Sequence, residues 1–143
     1  MFKIKTAALI NAPIEAVWDC LVKTKDYSTW NNFIKKIDGS FIEGQQIKIE
    51  LLFPDKKTML FTPTCVKVDK PNELRWVGTL MWECIFKGEH YFKLESLDNN
   101  TTKLVHAEKF SGVLSYFFQW QRAAVTEQAF KIMNNDLVNR FKP

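Results

Sequence analysis

The sequence predicts an α+β domain in which an antiparallel sheet is covered by one long C-terminal helix. Three observations carry this. From Gln45 onward, apolar and polar residues alternate in short runs separated by turn residues, the period of strands. Residues 113–141 contain no glycine or proline and repeat apolar side chains every three or four positions. Between the first strand and the rest, "NAPIEAVWDCLV" switches to helical spacing. A sheet of this size has to bury one face, and the long helix is its natural cover. A strongly curved sheet around one helix cannot close completely, so a cavity between them is the expected by-product.

The elements follow in order. "MFKIKTAALI" reads as a strand entering the core. Ile14, Val17, Trp18 and Leu21 then mark a helix. Pro13 suits its first position, with Ala12 as N-cap and the Glu15 carboxylate reaching back to the cap. "KDYSTWNNFIKKIDG" reads as a short helical turn, a loop and a strand start, with Trp30 and Phe33 flanking two asparagines. These two aromatics are core anchors or lid residues over a pocket, and at least one is read as an anchor. "QQIKIELLF" places Ile47, Ile49, Leu51 and Phe53 on one face. "MLFTPTCVKVD" is interrupted by Pro63, which requires an edge strand or a bulge there. "LRWVGTLMW" alternates Leu74, Trp76, Gly78, Leu80 and Trp82 against Arg75, Val77, Thr79 and Met81. The terminal helix carries Phe118, Val125, Ala129, Ile132 or Met133, and Leu137 on one stripe.

The composition narrows the function. The chain has 143 residues, enough for one domain over 1–143, and 46% of them are hydrophobic. Twelve Phe and five Trp supply core and, in principle, pocket walls. The net charge of +4 is spread, with no basic stripe, so no nucleic-acid partner is expected. Three cysteines without C-x-x-C spacing predict free thiols in a reducing cytoplasm. The N-terminus does not read as a signal peptide, and no apolar run reaches the roughly 20 residues that span a bilayer. A cytoplasmic protein without stable membrane insertion is therefore expected. No phosphate loop or nucleophile elbow occurs, and no motif calls for a cofactor.

The chain's two histidines lie in one segment, "GEHYFKLESLDNNTTKLVHAEKFSG". Period two puts Phe86, Gly88, His90, Phe92 and Leu94 on one face of the first strand. Leu104, His106, Glu108 and Phe110 share a face of the second. Opposed residues must share a face. A two-residue Asn99-Asn100 turn would set His90 against Lys109 unless a bulge intervenes. A three-residue loop, Asp98 to Asn100, sets His90 opposite Glu108 and Phe92 opposite His106. All three polar residues then face the cavity. A buried carboxylate needs a partner, and an imidazole can supply proton or charge. Four readings stay open: a satisfied structural cluster, a polar anchor for a ligand, an acid–base pair, and a metal site. No fourth ligand is evident, so no metal is expected.

"INAPIEAVWDCLVKTKDYSTWNNFIKKIDG" resembles the N-terminal signature of the START-like or SRPBCC superfamily, closest to its polyketide cyclase/dehydrase and lipid-transport subgroup. The matching pattern is I-x-A-P-x-x-x-V-W, then Y-x-x-W-N-P-F, then I-x-G, with Asn32 standing where the family often has proline. "ELRWVG", "FKGEHYFKLE" and "TTKLVHAEKFSGVLS" are also similar, so the resemblance covers the chain in order. It implies a helix-grip fold, a curved seven-stranded antiparallel sheet gripping the C-terminal helix, with two short helices after the first strand. It also implies an apolar cavity. Members bind lipids, sterols, polyketides, quinones or plant hormones, and some catalyse cyclisation or dehydration. Fold alone does not choose among these.

The expected function is binding or transport of a hydrophobic or amphipathic small molecule, with Trp30, Phe33, Trp76, Phe86, His90, Phe92, His106, Glu108, Phe110, Phe118 and Val125 as candidate contacts. The alternative is a cyclase or dehydratase using His90, His106 and Glu108 as acid–base groups. A third reading, a protein-interaction module, requires a pocket packed solid and a large exposed apolar patch.

Overall fold

The computed structural model describes residues 1–80, 82 and 84–143, with Leu80 described by its backbone. The described elements are β1 (Phe2–Ile10), α1 (Ile14–Val22), a 3₁₀ turn (Thr24–Asp26), α2 (Tyr27–Trp30), β2 (Ile34–Asp38), β3 (Lys48–Leu52), β4 (Thr58–Phe61), β5 (Thr64–Asp69), β6 (Glu73–Leu80), β7 (Phe86–Asp98), β8 (Thr101–Ser111) and α3 (Ser115–Arg140).

Among the described residues there are eight strands in two antiparallel sheets, not seven in one. One sheet has the order β1-β8-β7-β6-β5 and the other β2-β3-β4. The difference lies at Pro63. Proline has no N–H to give a ladder. The expected single strand breaks there into β4 and β5, each at a sheet edge. An isolated bridge between Gln46 and Thr64 joins the two sheets beside the break. The Ile47 N–H donates to the Pro63 carbonyl, so the proline is still used as an acceptor.

The buried side of α3 runs through Thr126, Ala129, Phe130, Met133, Asn134 and Leu137, at steps of three and four. Met133 rather than Ile132 belongs to the buried stripe. Phe130 is held from both sheets. Its ring lies 5.8 Å from Phe33 and 4.2 Å from His106. Ile47, Ile49, Leu51 and Phe53 are all buried, as their alternation predicts. None of the described helices is long and apolar enough to cross a membrane. Cys20 and Cys65 are buried free thiols, and Cys84 is an exposed one.

Three local expectations are corrected. Pro13, not Ala12, caps α1, because its ψ of 152° is extended and the helix begins one residue later. No side chain caps this end, so Glu15 does not close a box. The strand expected to run to Trp82 ends at Leu80, and Trp82 is 65% exposed. Its carbonyl instead accepts from the Ile85 and Phe86 N–H groups in a turn. Met81 lies outside the described residues. The hairpin uses the two-residue turn together with a bulge, instead of the three-residue loop. Asp98 pairs with Thr101 and Ser96 with Thr102, so Leu97 is the extra residue. The bulge restores the register that places His90 opposite Glu108 and Phe92 opposite His106.

Asn31 and Asn32 fix the loop before β2. The Asn31 side-chain oxygen accepts from the N–H groups of Phe33 and Ile34. Asn32 donates both its backbone N–H and its side-chain amide to Asp136 of α3, at 2.8 and 3.0 Å. A proline at this position could make neither bond, so Asn32 ties this loop to α3.

Because the bulge alone absorbs the odd residue, deleting Leu97 should leave a regular hairpin in the same register. Urea unfolding of the deletion variant is expected to give a stability within about 1 kcal/mol of the parent, as for other changes at exposed sites. A loss of several kcal/mol would show that the bulge is needed for more than register.

Candidate functional site

β7 and β8 carry the polar residues, and β1 and α3 complete the group. His90 Nδ1 lies 3.1 Å from Glu108 Oε1. His90 Nε2 lies 2.8 Å from His106 Nε2. His106 Nδ1 lies 2.9 Å from Asn134 Oδ1. The Asn134 amide donates to Thr6 Oγ1, and the Thr6 hydroxyl donates to the His106 carbonyl, each at 2.8 Å. Thr6 is directly opposite His106 in the β1–β8 ladder, which is why its hydroxyl reaches that carbonyl.

The direction of every proton follows from the two ends. The Thr6 proton is committed to a carbonyl, so its oxygen must accept from Asn134. The Asn134 oxygen then faces His106 and can only accept, so His106 carries its proton on Nδ1. Turning the amide round would leave two acceptors facing one hydroxyl proton. A neutral His106 offers a lone pair at Nε2, and His90 must donate to it from its own Nε2. His90 Nδ1 is then an acceptor, and Glu108 must supply the proton. The network is complete when Glu108 is a neutral carboxylic acid and both imidazoles are neutral.

Burial supports that state. It pushes the Glu108 carboxyl up to about 8 and pulls His90 down to about 3. His106 is pulled well below the usual imidazole range by burial and then by His90, against a smaller opposing effect of the bond to Asn134. The surroundings are aromatic. Trp76 stacks on His90 with ring centres 4.5 Å apart, and Phe130 stacks on His106 at 4.2 Å. Phe92 packs against both imidazoles. An ionised group here would lose its water and gain little in return.

A pocket of about 450 Å³ opens beside this chain, between α3 and both sheets. Phe33, Trp76, Phe86, His90, Glu108, Phe110 and Phe118 line it, as do Phe53, Phe61, Phe117 and Phe130. The Glu108 side chain is 19% exposed and lines the pocket. Gly88 makes room for it, since a Cβ there would collide with Glu108 Oε2. Met59, Leu60, Leu114 and Phe117 line the pocket and are also exposed, so they form its rim. Arg122 closes one side by pairing with Asp55 of the β3–β4 turn and lying over the Phe53 ring.

Four of the expected contacts do not line the pocket. Trp30 is buried against Tyr27, an anchor rather than a lid. Phe92 and His106 lie behind His90, in contact with its ring. Val125 is half-buried against the core. Thr6, Asn134 and Thr126 were not anticipated. Each is a polar residue at a buried position of an otherwise apolar pattern, and that mismatch is the sequence signal that could have found them. Among the described residues no group of three His, Cys, Asp or Glu side chains is placed to hold a metal ion. The two imidazoles spend Nε2 on each other rather than pointing at a common centre.

No family model matches the chain, and no curated protein matches it in sequence. Solved structures do. The Zhui aromatase/cyclase from Streptomyces superposes with a TM-score of 0.76 at 13% identity, over 97% of this chain and 92% of that one. A START superfamily protein from Mycobacterium smegmatis gives 0.73 at 12% identity, over 97% and 96%. The fold is START-like. A protein from Arthrobacter aurescens shares this START-like fold, with a TM-score of 0.71 at 15% identity over 96% of this chain and 86% of that one.

The neutral chain sets a pH dependence of stability. Glu108 keeps its proton in the folded protein up to about 8, whereas an ordinary carboxyl of 4.5 has released it. Stability therefore falls as pH rises through that window, by at most about 1.4 kcal/mol per pH unit. The imidazoles act oppositely. They stay neutral when folded, while the unfolded chain takes up protons below 6.5, so stability falls again towards pH 3. Urea midpoints should peak near pH 6.5. Glu108→Gln should flatten the alkaline side and steepen the acid side between 4.5 and 6.5, where the carboxyl opposes the imidazoles.

Proposed function

We propose that this protein binds a hydrophobic or amphipathic small molecule, lipid, polyketide or quinone-like, in the pocket between α3 and the two sheets. The observation that carries this is a pocket of about 450 Å³ with aromatic walls and one carboxyl–imidazole pair, Glu108–His90, among its lining residues. Its size is within the roughly 300–1,000 Å³ of small-molecule sites. The walls supply apolar burial, and Glu108, held in place by His90, orients the polar end. A protein-interaction module receives less support, because the pocket is not packed solid. The free thiols suit a reducing cytoplasm.

Native mass spectrometry of purified protein offered a panel of lipids, quinones and aromatic polyketides should show a one-to-one complex with at least one class. Absence of any complex across the panel would contradict the reading.

A second reading, a cyclase or dehydratase, is favoured by one specific feature. Glu108 is a neutral acid in contact with a neutral base, and it lines the pocket. Such a pair can act as a relay: Oε2 takes a proton from the substrate as Oε1 passes its own to His90 Nδ1, and the reverse transfer returns a proton to the departing hydroxyl. On this reading Glu108→Gln and His106→Ala should lower turnover of a cyclising or dehydrating substrate at least about 100-fold. Unchanged turnover in both variants would remove the acid–base role.

A further inference from the structure

We infer that the molecule held in this pocket carries a hydroxyl group, which donates to Glu108 Oε2, while Thr126 donates to an oxygen of the same molecule. The inference rests on the small-molecule binding proposed above and adds the chemistry of the ligand's polar end.

Glu108 uses its two oxygens differently. Oε1 is bonded to His90 Nδ1, and the direction of the hydrogen-bond chain makes this oxygen the proton donor. Oε2 is then a carbonyl-type oxygen, able only to accept. It sits over Gly88, itself a lining residue, and no hydrogen bond joins it to any described residue. The acceptor is therefore presented to the pocket without a protein donor.

Thr126 gives an independent sign. It is on α3, lines the same pocket and is only 3% exposed, yet its hydroxyl has no hydrogen-bond partner among the described residues. A buried hydroxyl left unpaired costs roughly 1–3 kcal/mol. A ligand oxygen would meet that need. An alcohol or phenol has both functions, a proton for Oε2 and lone pairs for Thr126. A carboxylate has no proton to give, and its charge would face an acceptor. The cation among the lining residues, Arg122, is already paired with Asp55. Ethers lack the donor, and hydrocarbons meet neither group.

Calorimetric titration at pH 6.5 with 2-naphthol, 2-methoxynaphthalene, naphthalene and 2-naphthoate tests this. The full-length protein should bind 2-naphthol at least about fivefold more tightly than its methyl ether, the worth of one ordinary hydrogen bond. Binding of 2-naphthoate should be weaker still. The preference should persist in Glu108→Gln, whose amide can donate to His90 and present a carbonyl to the pocket. It should vanish in Glu108→Leu. Thr126→Val, a near-isosteric change, should weaken 2-naphthol relative to naphthalene about threefold. Equal affinity for 2-naphthol and its methyl ether in the unmodified protein overturns the inference, whatever the variants do, and leaves small-molecule binding standing. A preference that survives Glu108→Leu also overturns it. An unchanged naphthol-to-naphthalene ratio in Thr126→Val removes Thr126. No binding of any of the four overturns this inference, while the binding reading is overturned only if the lipid, quinone and polyketide panel also gives no complex.

Discussion

The Thr6 hydroxyl has one proton, and the His106 carbonyl receives it. Each later bond in the buried chain is constrained by that choice, through Asn134, His106 and His90 to Glu108. A row of donors and acceptors in an apolar interior has few alternatives, because each misdirected bond leaves a buried group unpaired. The orientation of a hydroxyl on an edge strand thus determines the protonation of a carboxyl on the pocket wall. The chemistry offered to a ligand is set in the second layer, out of its reach.

The same chain positions the fold. Its members come from β1, β7, β8 and α3, so it ties the central hairpin to the edge strand and to the covering helix. Phe130 and Asn134 are one turn apart on α3. One stacks on His106 and the other bonds to it, which fixes the helix in rotation and in position along its axis. Trp76 plays the matching part on the other side by stacking on His90, its partner in the β6–β7 ladder. Aromatic packing excludes water, and the exclusion keeps the polar row neutral. Packing and protonation support each other, and Gly88 leaves the gap through which the carboxyl meets the pocket.

Much of this was legible in the sequence. The face-sharing rule placed His90 opposite Glu108, and the pairing is as expected, although a bulge at Leu97 rather than a longer loop produces it. Alternation identified the inward faces of β3 and the hairpin, and helical spacing identified α3. What could not be read depended on contacts between distant elements. Thr6 and His106 are 100 residues apart, and Thr6 and Asn134 are 128 apart. A lone Thr or Asn in an apolar stripe carries no signal of its partner. The count of strands failed for a different reason. Pro63 marked a break, but whether the chain continues past it in one sheet depends on neighbours that local pattern does not describe.

The most direct test of the account is the tautomeric state of the two imidazoles, measured by nitrogen-15 NMR through long-range couplings to the ring protons at pH 6.5. The hydrogen-bond chain predicts two neutral rings of opposite tautomer, with the proton of His90 on Nε2 and that of His106 on Nδ1. A doubly protonated His90, or a His90 protonated only on Nδ1, would mean that Glu108 is an ionised acceptor. Either result would contradict the neutral chain and the ligand chemistry inferred from it.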